Sequence, residues 1–172
     1  MGRKISVVFP FILIISLILL PVSSPAFQNE PDGFGGVLWG TDLSTLSGMV
    51  YDSQFTWAAG TTFFFKRKED TLNMGEATLT SIRYGFWEGK LSDVLVETRG
   101  RKNWVALKRA CFEKYGQGFK ENYYIENYRW SGKITSIVLE YKESEDLGTL
   151  LMKSEVIYEQ IKSKLRQKVG EQ

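Results

Sequence analysis

The sequence predicts an α+β domain. It consists of an antiparallel sheet of about six strands in two helix-then-three-strand units, with helices packed on one face and a further helix at the C-terminus. Three observations carry this reading. Ile82, Tyr84 and Phe86 alternate with Ser81, Arg83 and Gly85, and Val94 and Val96 continue the alternation after a turn, as in a hairpin with one buried face. Trp104, Leu107, Cys111 and Tyr115 then recur at helical spacing among lysines, arginines and a glutamate. A second hairpin, NYYIENYRW-SG-KITSIVLEYK, is followed by Ile157, Ile161 and Leu165 at four-residue intervals.

Taken in order, residues 1–26 are set aside first. Arg3 and Lys4 precede an uncharged apolar run, Ile5 to Leu20, and Ser24-Pro25-Ala26 has the form of a cleavage site. This is the pattern of a secretory signal peptide cleaved after Ala26, with a retained membrane anchor as the competing reading. Residues 27–36, rich in Gly with Pro and Asp, are expected to be a flexible lead-in. Residues 37–172 are expected to form one domain, since no proline occurs after Pro31 and no linker interrupts the chain. A short helix capped by Thr41 or Asp42 is predicted from Leu43, Leu46 and Val50. A loop follows over 52–60, then a strand over 61–66 containing Phe63, Phe64 and Phe65. The first hairpin turns through a three-residue loop, Trp87-Glu88-Gly89, with Gly89 left-handed. Asn103 is placed to cap the next helix, and Gly116 to end it. An amphipathic helix over 154–172 closes the chain.

Removing the leader takes away two of the 22 basic residues and leaves 20 against 20 acidic ones, so the remaining 146 residues are formally neutral. A neutral domain lacks the basic footprint of a nucleic-acid binder, and membrane association is expected only through the leader before cleavage. The single cysteine, Cys111, excludes an internal disulfide. Without a histidine to lower its pKa it reads as a small buried residue rather than a nucleophile.

The absence of histidine excludes Ser-His-Asp and Cys-His hydrolysis, zinc catalysis through imidazole, and histidine-ligated haem. Asp93, Glu97, Glu126 and Glu140 are the carboxylates on proposed strands, but their spacing selects no catalytic pair. The acidic turn at Glu143, Glu145 and Asp146 lacks the ligand ladder of a calcium loop. No catalytic residue, metal ligand or cofactor is assigned.

Aromatic residues make up 14% of the chain and cluster in strands and turns. The echoing turns Trp87-Glu88-Gly89-Lys90 and Trp130-Ser131-Gly132-Lys133 suggest a partner-binding surface of Trp87, Trp130, Arg83, Lys90, Tyr128 and Lys133. The competing reading is aromatic packing at sheet edges.

The elements F-G-G-V-L-W-G-T (Phe34 to Thr41), Y-G-F-W-E-G-K-L (Tyr84 to Leu91) and Y-R-W-S-G-K (Tyr128 to Lys133) resemble a family of small exported bacterial proteins of unknown function. Helix-then-three-strand units are more distantly similar to secreted β-lactamase inhibitor proteins and to a small outer-membrane assembly lipoprotein. This chain lacks the disulfides of the first and the lipid-attachment cysteine of the second. The resemblance implies a bacterial envelope setting and transfers no catalytic residue. The function expected is a non-catalytic, periplasmic or extracellular domain that binds an envelope protein or itself. A small-ligand or glycan-binding module, or a carboxylate-dependent enzyme, is the alternative.

Overall fold

The computed structural model describes residues 27–170; the predicted signal peptide and its cleavage after Ala26 lie outside them. The strands are β1 (Gly33–Phe34), β2 (Val37–Leu38), β3 (Met49–Trp57), β4 (Gly60–Arg67), β5 (Asn73–Met74), β6 (Ala77–Thr78), β7 (Ser81–Trp87), β8 (Lys90–Arg99), β9 (Asn127–Ser131), β10 (Thr135–Lys142) and β11 (Leu147–Ser154). The helices are α1 (Arg101–Tyr115) and α2 (Glu155–Gly170). Seven strands form one sheet in the order β3-β4-β7-β8-β11-β10-β9, antiparallel throughout.

The α+β class and the antiparallel sheet are as expected, but the sheet has seven strands rather than about six. The additional strand is β3, where a loop was expected over 52–60. Its alternation is hidden in the sequence because a β-bulge between Tyr51 and Ser53 shifts the register, so inward and outward positions exchange part-way along. The helix expected before it is a single 3₁₀ turn, Leu43–Thr45. The Asp42 carboxylate does cap this turn, accepting from the Ser44 amide at 3.0 Å. The first half of the sheet therefore has no counterpart of α1, and only β9–β11 follow a helix as a three-strand unit.

A bulge also decides the first hairpin. Glu88 and Gly89 form a two-residue turn with φ of 49° and 76°, rather than a three-residue loop. Such a turn alone would set Tyr84 opposite Asp93. Ser92 is instead the extra residue, so Phe86 pairs with Leu91, Tyr84 with Val94 and Ile82 with Val96. All six side chains therefore share one face.

That face holds the main core. Trp104, Leu107, Cys111 and Tyr115 of α1 are fully buried against Val94, Val96, Leu139, Leu150 and Met152. Burying a large apolar side chain contributes about 1.5–3 kcal/mol, which makes this layer the largest source of stability. α1 begins at Gly100 rather than being capped by Asn103. The Asn103 side chain donates to the Arg99 carbonyl (3.0 Å) and accepts from the Thr78 amide (3.2 Å), tying the helix to β6. Gly116 ends the helix at φ 78°, as expected.

The lead-in over 27–36 makes specific contacts with the domain. Phe27 packs edge-on against Tyr115, the Gln28 amide donates to the Tyr115 carbonyl, and the Glu30 carboxylate accepts from the Thr135 amide at 2.8 Å. Its glycines serve the β1–β2 hairpin. α2 buries Ile157 and Ile161 with Trp87 and Ala59 in a second, smaller cluster, with Trp57, Tyr158 and Leu165 at its margin.

Candidate functional site

The structure separates the six residues of the proposed turn surface. Trp130 lies in the main core. It is 4% exposed, donates from Nε1 to the Gly116 carbonyl at 3.0 Å and meets the Phe112 ring edge-on. Trp87 belongs to the α2 cluster, where Nε1 faces the Ala59 carbonyl at 3.4 Å and the Lys164 ammonium stands over its ring. The two tryptophans therefore do not form a pair. Tyr128 is buried, with its hydroxyl donating to Glu126 at 3.0 Å. Arg83 is held by Glu97 at 2.5 Å and Lys90 by Asp42 at 2.9 Å. Lys133 is exposed beside the second hairpin.

Three other features present apolar surface. The first is β3, one edge of the sheet. The opposite edge strand, β9, has five residues, and its outer side is met by Phe119, whose amide and carbonyl both bond Arg129. β3 runs for nine residues, and among the described residues its only strand partner is β4. Val50, Tyr51 and Phe55 project from it largely exposed, Phe55 at 62%, with Tyr51 and the exposed Phe63 of β4 on the α1 face of the sheet and Phe55 on the other. The one charged residue on β3, Asp52, is already engaged by Lys66 at 2.5 Å, which holds its carboxyl below the usual range.

The second feature is a cleft between α2 and the sheet face opposite α1. Its walls are Phe55, Trp57, Phe64, Leu151, Tyr158 and Ile161, and its volume is about 330 Å³. Ser53, Phe64, Gly85, Asp93 and Lys153 are consecutive cross-strand neighbours, and Phe64, Asp93 and Lys153 border the cleft. Gly85 is needed here because a Cβ would stand 2.8 Å from the Phe64 ring and 3.1 Å from the Asp93 Cβ. The Ser92 bulge places its hydroxyl 2.6 Å from the Asp93 carboxylate. Burial pushes the Asp93 carboxyl above its ordinary range, against the opposing effects of that hydroxyl and of the Lys153 charge.

The third feature is the segment between α1 and β9, where Tyr123 and Tyr124 are 84% and 92% exposed and meet edge-on.

No known protein family, characterised protein or solved structure matches this chain. The site must therefore be read from its own chemistry. Among the described residues no group of His, Cys, Asp or Glu is placed to hold a metal ion. None of the described helices is long and apolar enough to cross a membrane.

The strand carboxylates do not converge. Asp93 and Glu97 share a face of β8 but lie four residues apart, about 13 Å by strand rise, beyond the separation a glycosidase pair uses. Glu97 is occupied by Arg83 and Ser81, and Glu126 by Lys108 and Tyr128. Glu140 borders a different groove, next to Arg129 and Tyr123. The Cys111 thiol is pushed up to about 12 by burial, which removes it as a nucleophile near neutral pH.

Sequence reasoning missed both the β3 edge and the cleft. A signal for both was present in Phe63-Phe64-Phe65. Three consecutive aromatics in a strand put large apolar rings on both faces, so the sheet cannot have one wet face throughout.

Proposed function

We propose that this chain is an exported, non-catalytic domain that binds another protein by accepting one of its strands along β3. The exported setting follows the N-terminal signal pattern and the resemblance to small exported bacterial proteins. The observation that carries the binding reading is the long β3 edge with largely exposed apolar side chains, in a sheet whose other edge is short and bridged by Phe119. An extended segment added there would satisfy the free backbone groups and cover Tyr51 and Phe55. The partner segment is expected to be uncharged and β-prone, because the edge offers one carboxylate and that one is already paired.

The test uses Tyr51→Lys and Phe55→Lys, two exposed positions where a charge blocks strand addition while leaving the fold intact. Wild-type protein is expected to retain a defined partner from an envelope extract, with the β3 amides protected from hydrogen exchange in the complex. Both variants are expected to lose it. Retention by the variants, or protection confined to other elements, refutes the reading. So does a wild-type protein that sizes as a dimer and falls to a monomer on Phe55→Lys, because the occupant of the edge is then a second copy.

A further inference from the structure

We propose that the cleft between α2 and the second sheet face is a binding site for a small organic cation, an ammonium or guanidinium group on an apolar stem. The inference shares Phe55 and Trp57 with the β3 edge but rests on a different observation, what surrounds Asp93.

Asp93 is set by the Ser92 bulge into a row of the sheet where its neighbours are Phe64 and Gly85 on one side and Lys153 on the other. Among the described residues it forms no ion pair, although Lys153 is its direct cross-strand partner. The Lys153 ammonium instead stands over the Tyr158 ring at 5.6 Å, with Lys162 also over that ring at 5.0 Å. Lys153 therefore makes no salt bridge with the acid and acts on it only through its charge at longer range. A partly buried carboxylate that lacks a close ion-pair partner is costly, and a cationic ligand would supply that partner.

The walls define the rest of the ligand. Phe55, Trp57 and Phe64 offer aromatic surface that is complementary to a cation and its stem. The volume, about 330 Å³, lies at the small end of ligand sites, so it fits a single ring or a short chain rather than a folded partner. The absent Cβ at Gly85 lets Phe64 lie beside Asp93, joining the apolar wall to the acid.

The charged residues lining the cleft are Asp93 and Lys153; Lys162 of α2 stands over the Tyr158 ring and is paired with Glu159. Lys153 opposes a cation, so the proposal requires that Asp93 dominate. That requirement makes it testable with three probes of one shape, phenethylammonium, 2-phenylethanol and phenylacetate, titrated calorimetrically into the full chain.

Phenethylammonium is expected to bind at least ten times more tightly than 2-phenylethanol, with phenylacetate weakest. Asp93→Asn is expected to bring the cation and the alcohol to equal affinity. Leu151→Trp, which fills the cleft, is expected to abolish binding of all three. The proposal is overturned if the three probes bind alike, if phenylacetate binds best, or if none binds at millimolar concentration. The comparison among probes on the wild-type protein decides the matter even if a variant fails to fold.

Discussion

Replacing Trp130 separates a tryptophan that builds the core from one that serves a surface. The side chain is 4% exposed and lies between Phe112 and Tyr115, with ring centroids at 5.9 and 6.4 Å. A buried tryptophan covers about 150–250 Å². At about 25 cal/mol per Å² this gives a loss of about 4–6 kcal/mol for Trp130→Ala, close to the range of about 3–5 kcal/mol measured for large aromatic truncations. Trp130→Phe keeps most of the ring but removes the Nε1 donor and leaves the buried Gly116 carbonyl without that bond, at a cost of about 1–3 kcal/mol. The assay is urea unfolding at neutral pH, followed by far-UV circular dichroism, with the slope on denaturant held as a check that the unfolded state is unchanged. Tyr123→Ala and Tyr124→Ala, both highly exposed, serve as controls and are expected to change stability by less than about 0.5 kcal/mol. A Trp130→Ala protein as stable as these controls would refute the core assignment.

Three further outcomes follow from individual contacts. Gly148→Ala is expected to destabilise by about 1–3 kcal/mol in the same assay, because its Cβ would stand 2.9 Å from Thr98 Cγ2 and 3.0 Å from the Trp104 ring, both in the packed core. Asp93→Asn is expected to raise the melting temperature at pH 7 when no ligand is present. The folded-state pKa of Asp93 lies above its unfolded value, so its contribution is fully present at acid pH and is lost as pH rises from the unfolded carboxylate pKa, about 3.9, through the folded one. The advantage of the variant should therefore vanish in acid, and an advantage independent of pH would sink the argument. Cys111, fully buried, is expected to react with a thiol reagent only through unfolding, at a rate that rises with denaturant; rapid labelling of the native protein would contradict its placement.

The parts of the fold that were legible in the sequence are those where a single physical rule governs a segment. The α1 stripe Trp104, Leu107, Cys111 and Tyr115 is buried as its spacing requires, and so are Ile157 and Ile161 of α2. The alternation of Ile82, Tyr84 and Phe86 likewise survives intact in β7. Where a bulge intervenes, the rule fails locally. In β3 the shift between Tyr51 and Ser53 erases the period-two signal, so the sequence there carries the pattern of a loop. In β8 two errors cancelled. A three-residue loop was expected where a two-residue turn and the Ser92 bulge together achieve the same alignment of faces.

The site was less legible because it depends on which side chains are left without partners, and pairing across strands is not local information. Trp87 and Trp130 occupy similar turns, yet chain topology buries one under α2 and the other beside α1. Nothing near Asp93 in the sequence marks it as lacking a salt bridge. That is seen only in the fold, where Lys153 stands over the ring of Tyr158, 65 residues further along.

The two ends of the sheet are treated differently, and that asymmetry favours a strand-accepting role for β3 over simple incompleteness. At the β9 edge the chain uses a backbone bridge from Phe119 to cover a strand of five residues. At the β3 edge it carries a strand of nine residues that presents Tyr51 and Phe55 outward, and places no lysine or proline among them. Such an edge is an aggregation hazard for any protein that leaves it permanently bare. The bulge beyond Tyr51 breaks the regular register at one end of the strand and so limits the hazard there, leaving Ser53 to Trp57 as the regularly paired stretch. A partner strand would therefore be expected to register on that stretch. Hydrogen exchange in a complex should accordingly protect residues 53–57 more strongly than 49–51; uniform protection along β3 would mean that the bulge plays no part in selecting the register.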